Sequence, residues 1–158
     1  MISGCGYHSA GRGNSLPPDL RTLAVPAFVN QTQTYRIEQM LTSAVVEELS
    51  TRTRYQVTTD LASADAILHG TVLSSYTTPL AYDSATGRAA TVLVIVSMSV
   101  SLADRQGRVL YQNPSYVFRE QYQVSQEASS FFEEDSPAFQ RLSHQFARGL
   151  VSNILENF

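Results

Sequence analysis

A single cysteine, Cys5, stands almost at the start of the chain behind Ile2, Ser3 and Gly4. An aliphatic residue, a small residue and a glycine ahead of a cysteine form the pattern of a bacterial lipobox. In that motif a signal peptidase cuts before the cysteine, and the thiol takes a diacylglycerol. The chemistry needs these residue types. Small residues let the backbone enter the peptidase, and only a thiol forms the thioether. A full signal peptide would add a basic region and about 7–15 apolar residues upstream. Neither precedes Ile2, so Met1 reads as a start residue placed directly ahead of the lipobox. Cys5 is therefore the expected lipid-attachment site, on a chain tethered to a membrane leaflet. A lone, incidental cysteine is the bland alternative. One acyl chain binds a bilayer only marginally, whereas a lipidated N-terminal cysteine carries several and anchors firmly.

The other reactive side chains do not converge along the sequence. His8, His69 and His144 are widely separated, and none shows the H-x-x-x-H spacing of a metal ligand pair, so no metal site is expected. His69 alternates with Ile67 and Thr71 and reads as an ordinary strand residue. Glu133, Glu134 and Asp135 could serve acid catalysis or bind cations. They precede a helical pattern, where acids favour the positive dipole end, so a solvated cluster is the simpler reading. No G-x-S-x-G, P-loop or G-x-G-x-x-G with a strand before it is present, and Cys5 has no basic neighbours to lower its pKa. Tyr76, Tyr82, Tyr111, Tyr116 and Tyr122 lie on or near strands, where they could form a binding platform or pair across strands. Nothing assembles an acid, a base and a nucleophile. The expectation is a binding or structural protein, not an enzyme, with no cofactor.

Composition points the same way. The 158 residues suffice for one domain with a real core. One cysteine excludes a disulfide framework, and no stretch approaches the roughly 18–20 apolar residues of a membrane span. The net charge of -3 argues against general nucleic-acid binding. Charged residues make up only 16%, and the polar balance comes from 19 Ser, 13 Thr and 11 Gln. All 11 basic residues are Arg. Codon bias accounts for that; so would a polar interface, because a planar, weakly hydrated guanidinium suits buried ion pairs and phosphate. A weakly charged Ser/Thr/Gln exterior fits a broad contact surface.

The elements that must position these residues follow from periodicity. Residues 5–19, rich in Gly and Pro, read as a flexible tether, so residues 1–19 form a lipobox remnant and tether and 20–158 a single domain. Thr22 to Phe28 reads as a first strand. Ile37, Met40, Leu41, Ala44, Val45 and Leu49 recur at helical spacing. Tyr55 to Thr58 is a short strand, and Ala66 to about Leu80 a long one with a possible bulge at Gly70. Pro79 to Arg88 reads as a hairpin connection. From Val92 to Leu102 every second residue is apolar, with Ser97, Ser99 and Ser101 between, which marks a strand with one buried face. After a turn at Asp104 to Gly107, Val109 to Tyr122 returns, interrupted at Asn113-Pro114, with Tyr116, Phe118 and Tyr122 on one face. Pro137, at a favoured first helical position, opens a final helix with a stripe of Phe139, Leu142, Phe146, Leu150, Ile154 and Phe158. The order is β-α-β-β-β-β-α. The expected fold class is α+β: two helices packed on one face of a mostly antiparallel four- to five-stranded sheet.

Several of these segments resemble one family. Cys5-Gly6-Tyr7-His8, Leu16-Pro17, and Thr22 to Phe28 followed by Asn30 and Thr32 are similar to the lipopolysaccharide-assembly lipoprotein family LptE, also called RlpB. So are Ile37-Glu38-Gln39, Leu41-Thr42, Ala64 to Val72, the strand closing in Leu102 to Gly107, and the last helix. The likeness covers nearly the whole chain, through motifs that mark turns and strands rather than chemistry. It implies an outer-membrane lipoprotein on the periplasmic side, with two helices on a four-stranded sheet, plugging and helping to assemble the large β-barrel LptD for lipopolysaccharide transport. It implies LptD as partner, lipopolysaccharide as a second possible one, and Cys5 as the acylated residue. Gly6, rather than Asp, fits outer-membrane sorting.

Large outer-membrane barrels have plugged lumens with polar interiors, which a low-charge exterior would suit. The expected partner contacts are exposed arginines near strand ends and turns: Arg88, Arg105, Arg108 and Arg119. The turns at 83–88 and 104–108 are the natural tips to reach into a barrel. A stand-alone periplasmic module binding a lipid or glycan on its Tyr-bearing sheet is the alternative, and a tethered hydrolase using Glu133, Glu134 or Asp135 is a further rival.

Overall fold

The computed structural model describes residues 16, 17, 19–85, 87, 89–123 and 137–156. Cys5, His8, Arg88, the Glu133–Asp135 cluster and Phe158 lie outside them. In chain order the elements are β1 (Thr22–Ala24), β2 (Val29–Asn30), α1 (Ile37–Arg52), β3 (Gln56–Thr58), β4 (Ala66–Tyr82), β5 (Ala89–Asp104), β6 (Val109–Gln123) and α2 (Pro137–Glu156). The fold is α+β, two helices on one six-stranded sheet. The spatial order is β3-β1-β4-β5-β6, with β2 also paired to β4.

The sheet is mostly antiparallel, as expected, but mixed rather than purely so. β1 runs parallel to β3 and β4, and β2 parallel to β4. The cause is α1. Parallel neighbours need a crossover connection, and α1 supplies it between β1 and β3. The long strands β4, β5 and β6 are antiparallel, joined by hairpins. At each hairpin an aspartate starts the turn and a glycine with positive φ ends it. Gly87 (φ 71°) donates its N–H to the Asp83 carbonyl, and Gly107 (φ 83°) to that of Asp104.

The alternation read in β5 is what the structure shows. Val92, Val94, Val96, Met98, Val100 and Leu102 are all buried under the helices. They share one core with Leu41, Val45 and Leu49 of α1 and Phe139, Leu142, Phe146 and Leu150 of α2. Leu16 and Leu20 join the same core at 4% and 7% exposure, so packing begins inside the segment read as tether.

Two irregularities sit elsewhere than expected. Gly70 is not a bulge, for it pairs in register with Val100. Its role is close approach: a Cβ there would lie 2.8 Å from both Met98 Cε and Phe28 Cδ1. The bulge falls instead between Val72 and Ser74. Asn113-Pro114 does not break β6 either; the strand continues through it with a register shift opposite Met98 and Val100. Pro79, read as the start of a connection, lies within β4, which extends to Tyr82.

The edge strand β6 is fastened to α2 by a row of tyrosines. The Tyr111 hydroxyl donates to Asn153 Oδ1 at 2.5 Å, and the Tyr122 hydroxyl to Gln145 Oε1. Tyr116 packs edge-on to Phe146 at 5.5 Å, and its hydroxyl lies where a Cβ on Gly149 would be, 2.9 Å away. Desolvation raises the pKa of all three phenols, that of Tyr116 to about 12 with a smaller contribution from Tyr111. A phenol harder to ionise when folded stabilises fully below its unfolded pKa of about 10, and that stability is lost as pH climbs through the folded value. Alkaline unfolding should therefore steepen between about pH 10 and 12. Tyr116→Phe, which keeps the ring and removes the titrating group, should flatten that limb in circular-dichroism titrations; an unchanged limb would remove Tyr116 from the account.

Candidate functional site

The helices cover one face of β4–β6, and among the described residues nothing covers the other. Register places Tyr76, Ile95 and Arg119 in one row across it, with Thr78, Leu93 and Gln121 in the next and Ser74, Ser97 and Val117 on the other side. Ile95 is only 8% exposed although it points away from the helices, flanked by Tyr76 and Arg119. The long stem of an arginine can cover apolar surface while its head stays in water. Tyr76, at 50%, and Val117, at 46%, are exposed beside it. Among the described residues of the three long strands, Arg119 is the one charged side chain on this face. The face is thus hydroxyls and apolar groups around a single guanidinium.

The five strand tyrosines are therefore two sets. Tyr111, Tyr116 and Tyr122 serve the helix side. Tyr76 and Tyr82, at 50% and 64% exposure, belong to the free part of β4, which also carries exposed Leu73 and Leu80. Sequence reasoning named the tyrosines but passed over both leucines. Uncharged residues running from Gly70 to Tyr82 were the signal available.

The arginines expected at the partner surface do not come together. The turns at 83–88 and 104–108 lie at opposite ends of β5, whose 16 residues span about 50 Å at the rise of an extended strand. Arg88 lies outside the described residues. Arg105 is turned inward on its own end of the sheet: Nε donates to the Ala64 carbonyl at 2.8 Å and Nη2 to that of Ser63 at 2.9 Å. Arg108 Nε donates to Asp104 Oδ2 at 3.1 Å. Both guanidinia thus spend donors on neighbouring loops. Of the three that are described, Arg119 alone stands on the open face.

Asp65 organises the end where Arg105 sits. Its Oδ2 accepts the backbone N–H groups of Arg21 at 2.8 Å and Thr22 at 3.0 Å, and Arg105 Nη2 lies 3.8 Å from Oδ1. The two backbone bonds, with smaller help from Arg105 and Arg21, hold its carboxyl below the usual value. A depressed folded pKa stabilises above the unfolded pKa and is lost as pH falls through the folded one. Asp65→Asn should lower the melting temperature at neutral pH and leave less to lose on acidification below about pH 4. Parallel losses in both proteins across that range would refute this role.

Two concavities accompany these features. One, of about 120 Å³, lies among Pro17, Leu20, Asp65, Asp104, Arg105 and Arg108. The other, of about 360 Å³, lies before α1 and is lined by Asn30, Gln33, Tyr35, Arg36, Glu38 and Gln39. Arg36 holds a left-handed backbone (φ 61°) there, with its guanidinium 5.1 Å from the Tyr35 ring centre. His69 and His144 are both exposed, and neither lines these two concavities. Among the described residues no three His, Cys, Asp or Glu side chains gather as metal ligands, and no helix is long and apolar enough to cross a membrane.

The chain belongs to the class of small α+β domains in which helices cover one face of a single sheet. Solved structures share the fold. A hypothetical protein from Chlamydia trachomatis superposes with a TM-score of 0.59 at 10% identity, covering 87% of this chain and 97% of that one. The PelC dodecamer protein from Paraburkholderia phytofirmans gives 0.54 at 18%, covering 91% and 96%. An uncharacterized lipoprotein B from Nitrosomonas europaea gives 0.50 at 15%, covering 96% and 89%. No curated protein matches by sequence. Residues 20–154 match the lipopolysaccharide-assembly family LptE, and the chain belongs to that family. It is a family of lipopolysaccharide-assembly lipoproteins.

Proposed function

We propose that this chain is the lipoprotein subunit that plugs the LptD barrel at the outer membrane, anchored through acylated Cys5 on the periplasmic side, and helps the barrel assemble for lipopolysaccharide transport. The observation that carries the reading is the open sheet face: broad, hydroxyl-rich, and bearing one charge among its described residues, Arg119. Tyr76 and Val117, exposed on that face, are apolar surface that a partner would cover. Family membership supports the lipopolysaccharide-assembly machinery as that partner. Arg119 is the leading contact among Arg88, Arg105, Arg108 and Arg119, because it stands on the open face, whereas Arg105 and Arg108 each give part of their guanidinium to their own end of the sheet.

Purification of the tagged, full-length lipoprotein from native envelopes tests the reading. The expected result is co-purifying barrel and a diacylglyceryl mass on Cys5. Recovery without barrel, from cells whose surface lipopolysaccharide is normal when the chain is deleted, would overturn it. The pocket at Tyr35 and Arg36 favours a second reading, a lipid- or glycan-binding module, which that outcome would promote.

A further inference from the structure

Strand β4 has two neighbours over its first half and one over its second. β2 ends at the pairing of Asn30 with Val72, where Gln31 donates its N–H to the Val72 carbonyl. From Leu73 onward β4 pairs with β5 alone among the described residues. Its outer edge from Leu73 to Thr78 therefore offers a row of backbone groups with no strand against them. A free edge is a template for another extended chain, and proteins ordinarily blunt it with charge. The other long edge strand, β6, carries Arg119 and Glu120. The β4 edge carries no charge; a bulge between Val72 and Ser74 and a hydroxyl contact of Thr34 with Ser75 lie near its start, and Pro79 ends the usable ladder because it has no N–H to donate.

Beside this edge runs an apolar ribbon. Val29, Leu73, Tyr76, Leu80 and Tyr82 are 57%, 39%, 50%, 47% and 64% exposed, and they make up five of the nine exposed large hydrophobic residues recorded among the described ones. All five belong to β2 and β4. Backbone groups in a row call for a strand, and the ribbon calls for apolar side chains above that strand.

We infer that the Leu73–Thr78 edge takes up an extended, uncharged segment of the barrel partner as an additional strand, with the ribbon as its side-chain footing. This rests on the plug reading and names the surface that the reading needs. A second copy of the chain would be a poorer occupant. Antiparallel pairing of two β4 edges uses a two-fold axis normal to the sheet. That axis would set the two Tyr76 side chains on the same side of one enlarged sheet and cover neither. A strand of a separate protein brings its own wall to cover the ribbon.

The test places a photo-crosslinking amino acid at Tyr76, and separately at exposed Gln140 on α2, in tagged full-length lipoprotein expressed in its own envelope. It adds the double variant Leu73→Lys, Tyr76→Lys, whose isolated domain is checked for an unchanged melting temperature. The expected result is a barrel adduct from position 76 and none from 140, with barrel recovery by the double variant reduced about tenfold or more. If the double variant melts early, the position-76 adduct alone decides. Wild-type recovery of barrel with no adduct at 76 overturns the edge proposal and leaves the plug reading standing. Adducts joining two copies at 76 overturn it in favour of self-pairing. No barrel with the wild-type chain overturns both.

Discussion

Val96→Asp is expected to unfold the domain. Val96 is 0% exposed at the centre of β5, paired with Ser75 on one side and Phe118 on the other, and roofed by the core of both helices. An aspartate there would have to bury an unpaired carboxylate or take up a proton. Either route costs several kcal/mol, against a total stability of about 5–15 kcal/mol for a domain of ordinary size. The matched change is Ser99→Asp, three residues along and on the open face opposite Thr71. There the carboxylate stays in water, and the loss should be within about 1 kcal/mol. Urea titration of the two proteins checks the pair. Equal destabilisation would mean that the two faces of β5 are not distinct.

Phe146→Ala should cost about 3–5 kcal/mol. Phe146 is 0% exposed and stands where α2 meets β6, with the rings of Tyr116 and Phe118 edge-on at 5.5 and 5.8 Å. Truncation removes the transfer energy of the ring and leaves a cavity with two aromatic walls that have lost their partner. Phe146→Leu, which fills most of the space, should recover more than half of the loss. Calorimetry distinguishes the two; a loss below about 1 kcal/mol for the alanine variant would place this ring outside the critical packing.

How far sequence reaches can be seen in individual strands. β5 was legible because the period-two pattern from Val92 to Leu102 admits only one partition into a buried and an open face. α2 was legible because Pro137 and the apolar stripe agree on where it starts and which side it buries. The parallel pairings were not, since β1 has three residues and β2 two, too few to carry a period, and their direction follows from the route of α1. Bulges hid the site. The shift between Val72 and Ser74 leaves Leu73 without a partner on β5, so strict alternation along β4 does not assign it a face. The separation of the two arginine turns was readable in principle, since consecutive hairpins on one long central strand must lie at its opposite ends. Nothing in the residue types, however, foretold that Arg105 would be consumed by the carbonyls of Ser63 and Ala64.

Leu16 enters the core at the end of the sheet where Pro17 and Leu20 meet Asp104, Arg105 and Arg108. With Cys5 as the anchor, the leash from membrane to fold is eleven peptide steps, about 35–40 Å when drawn straight. That is shorter than the roughly 50 Å body of the sheet. A domain on so short a leash has a heading: its 104–108 turn stays within reach of the leaflet, while the 83–88 turn is the leading end of whatever it enters. Lengthening the leash would cost it that heading before it cost any contact.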